Sequence, residues 1–512
     1  MPQSNRININ DAPKWFKAFF VFAPVIGCLL IATHLDNDFF FICKTGEYIV
    51  NNGLPTTDFL SMHSTMHIIV QQWLSTVIYY YIFKYLGTVG VLGFVFMCYA
   101  LFCVLMHRLT KLITGNLFVA SMVSLLADLF AAVMFERSRP QAMTMLLILL
   151  VLYLLESFVQ KGKIIYLCLL PLVSLALINL HAAMWAMLFV FAAPYGVAAI
   201  PFKFKNIKQE PCCSFVKLAV CGIICFAVGF INPYGFEAMK YITSSFGYDE
   251  INGLIVEMKA PAITDAWGFA LFAVLGVFAC FAIFYKKRAF TTRFVLLFAG
   301  TAFMSLLTTK SIAYFIVGGI PAFSYMLKDA VVTLKIDNNQ KRDKKDKKKL
   351  IILVAAFILM LGVLGAVLAL QPADSANIAE SSNTAEASDE DDYAALREMV
   401  KILDKENKDD VVLYASFNHG QFFEYYDYHP YIDGRAELFL KDNNKEFDYL
   451  EEYGSLRSGS LYYKDFVDKY HFTYIATDST DVFLQASLLH DNDYEIVYKS
   501  GKNILFKLKD NK

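Results

Sequence analysis

The chain has 512 residues, 57% of them hydrophobic and only 18% charged, with a formal net charge of −1. Soluble domains carry about 25% charged residues and are less apolar, so a mean hydropathy of +0.44 excludes an ordinary soluble enzyme and points to a polytopic membrane protein with one soluble appendage. The net charge itself names no partner, and no nucleic acid is expected as one.

Residues 1–14 are polar, and no small-residue cleavage pattern follows the first apolar run, so a cleavable signal peptide is not expected. Apolar runs near the roughly 20 residues needed to cross a bilayer fall at about 15–35, 88–106, 117–135, 141–158, 164–180, 183–200, 215–231, 266–285, 293–309, 311–328 and 350–370. About eleven spans are therefore expected. With the N-terminus in the cytoplasm, every dense basic cluster falls inside, from Arg108 and Lys111 to the block Lys341 to Lys349. The opposite face keeps scattered cations: Lys44, Arg137, Arg139, Lys240, Lys259 and Lys310. Residues 371–512 then lie outside a bacterial plasma membrane. The ten cysteines all lie in the membrane half, most in apolar runs, where Cys behaves as a small hydrophobe.

Two loops on the outer side are long, 36–72 and 232–265. In the first, Phe39 to Val50 has apolar residues at near-helical spacing and is stopped by Gly53 and Pro55; Trp73 to Tyr85 repeats the pattern and is stopped by Gly87. Both stretches predict helices in the membrane interface; the plainer alternative is ordinary buried helix. Residues 371–392 are small, polar and acidic, which predicts a disordered linker. Beyond it, helical stretches (393–404, 420–426, 447–470, 482–490) alternate with strand-like ones (411–415, 431–432, 472–476, 494–498, 503–507). That alternation predicts a small α/β domain with a partly parallel sheet.

Polar groups at membrane depth gather on the outer side. Asp36 and Asp38 follow the first span; Glu136, Arg137 and Arg139 lie between the third and fourth, Asn179 and His181 between the fifth and sixth; Asn232, Tyr234, Glu257 and Lys259 occupy the second long loop, and Lys310 follows the ninth span. Two carboxylates, several cations and an imidazole beside a lipid surface suit a lipid-phosphate substrate. The carboxylates can act as base or hold a divalent ion, and the cations can hold phosphate. Each also has a structural reading. Asp36 could cap the helix that follows, with Asp38 in its first turn. If residues 36–38 are extended, both carboxylates share a side; if helical, they diverge. Arg137 and Arg139 could anchor to headgroups, His181 could be a satisfied polar residue, Asn232 to Gly235 a span-ending turn, and Lys310 could snorkel. His63 and His67 are four apart but lack a further metal ligand. Asp433 and Arg435 could be an internal ion pair or an acceptor contact.

The segments D-N-D-F-F-F-I-C-K-T-G-E-Y-I from Asp36, G-L-P-T-T-D-F-L-S from Gly53, Q-Q-W-L, R-P-Q (139–141), N-L-H (179–181), N-P-Y-G (232–235) and Y-I-D-G-R-A-E-L-F (431–439) carry a resemblance over most of the chain. It resembles the GT-C membrane glycosyltransferases, through a bacterial multi-span group in their neighbourhood. The resemblance implies a polytopic α-helical GT-C-like domain over 1–370 and an extracytoplasmic α/β domain over 393–512. It implies a polyprenyl-phosphate sugar donor, an outward-facing site, and Asp38 or Asp36 as base or metal ligand, with Mg2+ or Mn2+ as the ion. On this reading Arg137, Arg139, Lys259 and Lys310 hold the donor phosphate, and the acceptor is a glycan, lipid or protein of the cell envelope. Two other classes stay open: a transporter or flippase of a lipid-linked precursor, and a non-catalytic envelope-assembly protein. A flippase would need polar groups through the membrane, where Asp128 is the main one.

Overall fold

Apolar periodicity and Gly/Pro stops define most elements of the chain. The computed structural model describes residues 35–135, 137–204, 207–241, 255–284, 291–328 and 389–509, with the isolated positions Ala18, Phe19, Phe22 and Val25. The expected eleventh span, the basic block 341–349, Glu136, linker residues 371–388 and nearly all of the first span lie outside the described residues.

In chain order the helices begin with α1 (Asp38–Asn52), α2 (Trp73–Thr114), α3 (Leu117–Met134) and α4 (Gln141–Lys161). Then come α5 (Ile165–Leu180) and α6 (Ala182–Ala198), a hairpin of β1 (Phe202–Phe204) and β2 (Ile207–Gln209), and α7 (Phe215–Val228). The helices α8 (Ala266–Phe284), α9 (Thr292–Leu307) and α10 (Thr309–Leu327) follow. By length and composition α2, α3, α4 and α10 can each cross a membrane, while α5 to α9 are shorter apolar helices. Among the described residues these helices stand where the second to tenth spans are expected. Helix α2 contains one non-helical residue, Gly87, with φ 62° and ψ −160°, a conformation that favours glycine. It is the stop expected from the sequence.

The C-terminal part holds α11 (Asp389–Leu403), β3 (Leu413–Ala415), α12 (Gly420–Tyr425), α13 (Tyr449–Ser458), α14 (Tyr463–Tyr470), β4 (Tyr474–Thr477), α15 (Val482–Leu488), β5 (Tyr494–Ser500) and β6 (Asn503–Leu508). The sheet order is β3-β4-β6-β5. Strands β3 and β4 are parallel, pairing Leu413 with Tyr474 and Ala415 with Ala476, and the other pairs are antiparallel. Every residue of β3 and β4 is buried, as parallel strands covered on both faces require. Three expectations shift. Helix α11 starts at Asp389, inside the stretch expected to be linker. The helical stretch 447–470 divides into α13 and α14 around Gly459. Tyr431–Ile432 forms no strand; the chain there makes a single parallel bridge, Pro430 to Leu413.

The chain divides into two compact units. The first comprises Met1–His34, Val89–Met239 and Glu257–Leu370; the second comprises Leu35–Thr88, Lys240–Val256 and Gln371–Lys512. Compactness thus groups the first long loop with the α/β elements, whereas periodicity grouped it with the spans.

In the first unit the helices pack around one apolar core. Polar ties cross it. The Trp185 indole N–H donates to Ser174 Oγ at 2.8 Å, and that hydroxyl donates to the carbonyl of Cys225 at 2.8 Å, joining α5, α6 and α7. Asp128 is fully buried, and the Tyr99 hydroxyl donates to its backbone carbonyl at 2.7 Å. Glu156 on α4 is fully buried and meets Arg293 of α9 through two bonds of 2.9 Å. Breaking such a pair strands a charge in an apolar setting, at about 3–5 kcal/mol. Arg293→Ala is therefore expected to lower the thermal unfolding midpoint in detergent well below that of the double change Glu156→Leu with Arg293→Met.

In the second unit, α1 has protein on two sides. Phe39 packs edge-on to Tyr79 and Phe83 of α2, with centroids at 6.0 and 5.2 Å. Phe40 packs on Phe422 and Tyr425 of α12 at 5.0 and 5.8 Å and belongs to the core of the α/β elements. Gly46 allows the closeness of α1 and α2: a Cβ there would lie 2.1 Å from the carbonyl oxygen of Thr76. The aromatic spacing that predicted an interfacial helix is thus, for α1, used in protein packing. The early part of α2 differs, leaving Tyr81, Tyr85 and Leu86 at 40%, 72% and 66% exposed.

Candidate functional site

The D-x-D pair stands at the start of α1. Asp36 Oδ1 accepts the backbone N–H of Asp38 at 3.0 Å, and the carbonyl of Asp36 accepts that of Phe39 at 2.9 Å. Asn37 is helical, with φ −54° and ψ −42°. Of the two arrangements open to residues 36–38, the chain takes the helical one. Asp36 is bound into the turn that opens the helix, and Asp38 occupies the first helical position. Asp38 Oδ1 lies 3.3 Å from where a Cβ of Gly434 would stand, so the glycine of Asp433-Gly434-Arg435 leaves room for this carboxylate.

Beside it lies a buried charge cluster. Arg435 donates to Asp58 through Nη1 at 2.6 Å and Nη2 at 3.2 Å, to Asp433 through Nε at 2.9 Å and Nη2 at 2.6 Å, and to Glu424 at 3.4 Å. The carboxyls of Asp58, Asp433 and Glu424 are fully buried. Of the two roles open to Asp433 and Arg435, the internal ion pair is present, and it extends 377 residues back to Asp58. Asp58 also accepts the N–H and hydroxyl of Ser61 at 3.0 and 2.6 Å.

One guanidinium cannot balance three carboxylates. Burial opposes ionisation of Asp58, but the charge and bonds of Arg435 and the bonds from Ser61 outweigh it and hold its pKa below the usual range. Glu424 goes the other way: burial, then the neighbouring Asp433, push it well above the carboxylate range despite Arg435. A raised carboxyl contributes stability that is complete below the unfolded value of about 4.3 and is lost as pH rises through the folded value. Asp58, lowered, contributes stability present above its unfolded value and lost as pH falls. The second unit is thus expected to lose stability on going to alkaline pH, and Glu424→Gln is expected to flatten that slope while leaving the acid limb. Unfolding midpoints of the full chain across pH check both.

His63 is occupied structurally. Its Nε2 lies 3.0 Å from the carbonyl oxygen of Tyr431, its ring stacks on Tyr449 at 3.8 Å, and burial pushes its pKa down to about 4. Among the described residues no three His, Cys, Asp or Glu side chains gather as a metal site.

The first unit brings several of the other expected residues together. Arg137 and Arg139 lie in the turn before α4, where the N–H of Arg139 donates to the carbonyl of Arg137 at 2.7 Å. One turn into α4, Thr144 Oγ1 meets His181 Nδ1 at 3.1 Å. Lys310 is the charged neighbour of His181. The carbonyl of Lys259 accepts the N–H of Thr309 at 2.9 Å, which sets Lys259 beside the start of α10. Asn179 donates to the carbonyls of Leu175 and Ile231, both at 2.9 Å, and so ties α5 to the turn after α7. In that turn Tyr234 donates its N–H to Asn232 Oδ1 at 2.8 Å. Glu257 is exposed, in the short turn Val256–Met258.

Sequence reasoning missed Asp58, Glu424 and the Lys44–Asp427 contact of 2.5 Å. The P-T-T-D-F-L-S stretch carries the resemblance and no expected site residue. Its Asp-to-Ser spacing, which lets one carboxylate cap the turn, was the available signal.

No protein-family description and no curated protein sequence matches the chain. Among solved structures it is similar to the archaeal oligosaccharyltransferase AglB from Archaeoglobus fulgidus, in complex with an inhibitory peptide and a dolichol-phosphate. There the TM-score is 0.60 at 10% identity, over 97% of this chain and 75% of that one. It is also similar to ArnT from Cupriavidus metallidurans bound to undecaprenyl phosphate, with a TM-score of 0.50 at 10% identity, over 97% of this chain and 98% of that one. At such identity the likeness is one of fold, and with the apolar helices it makes the chain a polytopic helical membrane protein that shares the fold of these two proteins.

Proposed function

We propose that the chain is a membrane glycosyltransferase that moves a sugar from a polyprenyl-phosphate donor to a cell-envelope acceptor at the outer face of the bacterial plasma membrane. The observation that carries this reading is a chain of links between four distant stretches of a GT-C-fold membrane unit: Thr144 bonds His181, His181 feels the charge of Lys310, and the N–H of Thr309 beside Lys310 donates to the Lys259 carbonyl. The bound dolichol-phosphate of AglB and undecaprenyl phosphate of ArnT support a lipid phosphate as the donor's leaving group.

Arg137, Arg139, Lys259 and Lys310 are assigned to the phosphate, with Arg able to bond it bidentately. They stabilise the charge as it leaves. Asp38 takes the proton of the acceptor hydroxyl while its oxygen attacks the anomeric carbon. The carbon–phosphate oxygen bond breaks with its electron pair going to the phosphate, and the carbon inverts. Asp36 positions Asp38 through the backbone. His181, held by Thr144, and Tyr234 and Glu257 of the second long loop are assigned to the donor's polar groups, and Asn179 fixes the turn beside them. On the helical turn the two carboxylates diverge and Asp36 Oδ1 is taken by the Asp38 N–H, so of the pair Asp38 alone would reach Mg2+ or Mn2+, with phosphate and water completing the shell, and such an ion would neutralise the leaving phosphate. No step is routed through it.

The test is the envelope glycan profile of cells lacking the gene, complemented with wild type, Asp36→Asn or Asp38→Asn. A profile unchanged by loss of the gene would end the transferase reading in favour of envelope assembly, and lipid-linked sugar accumulating on the inner leaflet would favour the flippase. With purified protein, Arg139→Ala is expected to raise the KM for the lipid donor about 10–100-fold, the value of one or two charge-assisted bonds, with the acceptor KM unchanged.

A further inference from the structure

A polar cavity lies within the unit that carries Asp38, and the transferase reading does not use it. Its volume is about 250 Å3, just below the roughly 300–1,000 Å3 of sites for drug-sized ligands. Its wall comes from the C-terminal half of α1, the following loop and the turn after α12. Tyr48 and Phe59 stack at 3.8 Å with planes 20° apart and form one side. Asn51 and Asn52, both exposed, stand at the rim. Lys44 crosses to Asp427 at 2.5 Å and to Glu47 at 2.9 Å. Asp427 is held at φ 64°, in the left-handed region. Glu424, whose Oε2 finds no hydrogen-bond donor among the described residues, closes the cavity toward Arg435.

The chemistry of this lining is specific. Two primary amides offer donors and acceptors side by side, and the carboxylates accept further bonds. The rings give an apolar face. Glu47 and Asp427 outnumber the one ammonium, and the His429 ring, which also lines the wall, has its Nδ1 taken by the Leu60 carbonyl at 3.0 Å, so the wall is short of positive charge and a phosphate or carboxylate ligand is disfavoured. A ligand with one apolar face and a rim of uncharged hydroxyls satisfies all of these groups.

We propose that this cavity is a sugar-binding subsite that takes an uncharged pyranose ring with vicinal hydroxyls, belonging to the acceptor glycan. That the ring belongs to the acceptor rests on the transferase reading; the binding itself does not. Donor and acceptor can both carry such rings, and the kinetic arm below separates them.

The experiment uses the full chain in lipid nanodiscs, with methyl β-glucopyranoside, methyl β-galactopyranoside, N-acetylglucosamine and inorganic phosphate as separate probes in saturation-transfer NMR. At least one sugar is expected to bind and phosphate not to. Tyr48→Ala and Asn52→Asp are each expected to weaken the sugar about tenfold, the effect of roughly 1.4 kcal/mol. Asn52 is exposed, so its change reports on the cavity even where Tyr48→Ala impairs folding. No sugar signal, a signal indifferent to Asn52→Asp, or phosphate binding as well as sugar would overturn the proposal. In the transfer assay the same variants are expected to raise the acceptor KM with kcat and donor KM unchanged; a shift in donor KM instead would overturn the assignment to the acceptor. If wild type transfers nothing, the transferase reading fails while the NMR arm still decides the cavity.

Discussion

Arg435→Ala is expected to unfold the second unit, or to bring its unfolding midpoint down further than any other single change there. The guanidinium is the common partner of Asp58, Asp433 and Glu424, all three buried. Removing it leaves at least two carboxylates charged in a medium that cannot solvate them. Losing one member of a buried pair costs about 3–5 kcal/mol, against about 5–15 kcal/mol for a whole domain. Arg435→Lys keeps the charge but not the fork that reaches Asp58 and Asp433 together, so an intermediate loss is expected. Limited proteolysis of the full chain, with cleavage mapped to residues 389–509, reads both. An Arg435→Ala protein as protease-resistant as wild type would show that the cluster contributes little.

The second large effect is on chemistry. Asp38→Asn is expected to lower kcat about 10²–10⁴-fold, the range for a lost general base, without shifting the unfolding midpoint. Asp36→Asn is expected to be mild. The role visible for Asp36 is to accept the Asp38 N–H through Oδ1, and an asparagine carbonyl accepts that bond equally well. The two variants thus separate a base from a capping residue that the D-x-D pattern alone treats alike. Equal losses from both would assign the carboxylates a joint role, and no loss from Asp38→Asn would remove it from the reaction.

How far the sequence could be read follows from how local each signal is. Helix α1 was bounded correctly because its stops, Gly53 and Pro55, are its own neighbours. The same holds for Gly87. Tyr431–Ile432 has strand composition and lies along the open edge of β3, but it makes only the single bridge from Pro430 to Leu413 before Asp433-Gly434-Arg435 turns the chain into the charge cluster. The interfacial reading of α1 failed to foresee Phe422 and Tyr425, because a 3.6-residue period records that a face is covered and not by what. For the site, Asp433-Gly434-Arg435 was visible as a motif, but Asp58 and Glu424 were not. Their partner is chosen by tertiary packing, and nothing in P-T-T-D or Q-F-F-E announces an arginine. In the membrane unit His181 and Lys310 were both named, and their neighbourhood is set by how α4, α5 and α10 pack.

The Asp58–Arg435 pair also imposes an order of events in biosynthesis. Its members are 377 residues apart, so at about 5–20 residues per second a ribosome needs on the order of 20–75 s between making the carboxylate and making the guanidinium. Through that interval the hairpin of α1 and early α2 exists without the helix that covers Phe40 and without the cation that neutralises Asp58. The first loop therefore completes its packing only after nearly the whole chain has been made, and a chain truncated before Gly434 is expected to leave Asp58 without its partner and the loop open to protease.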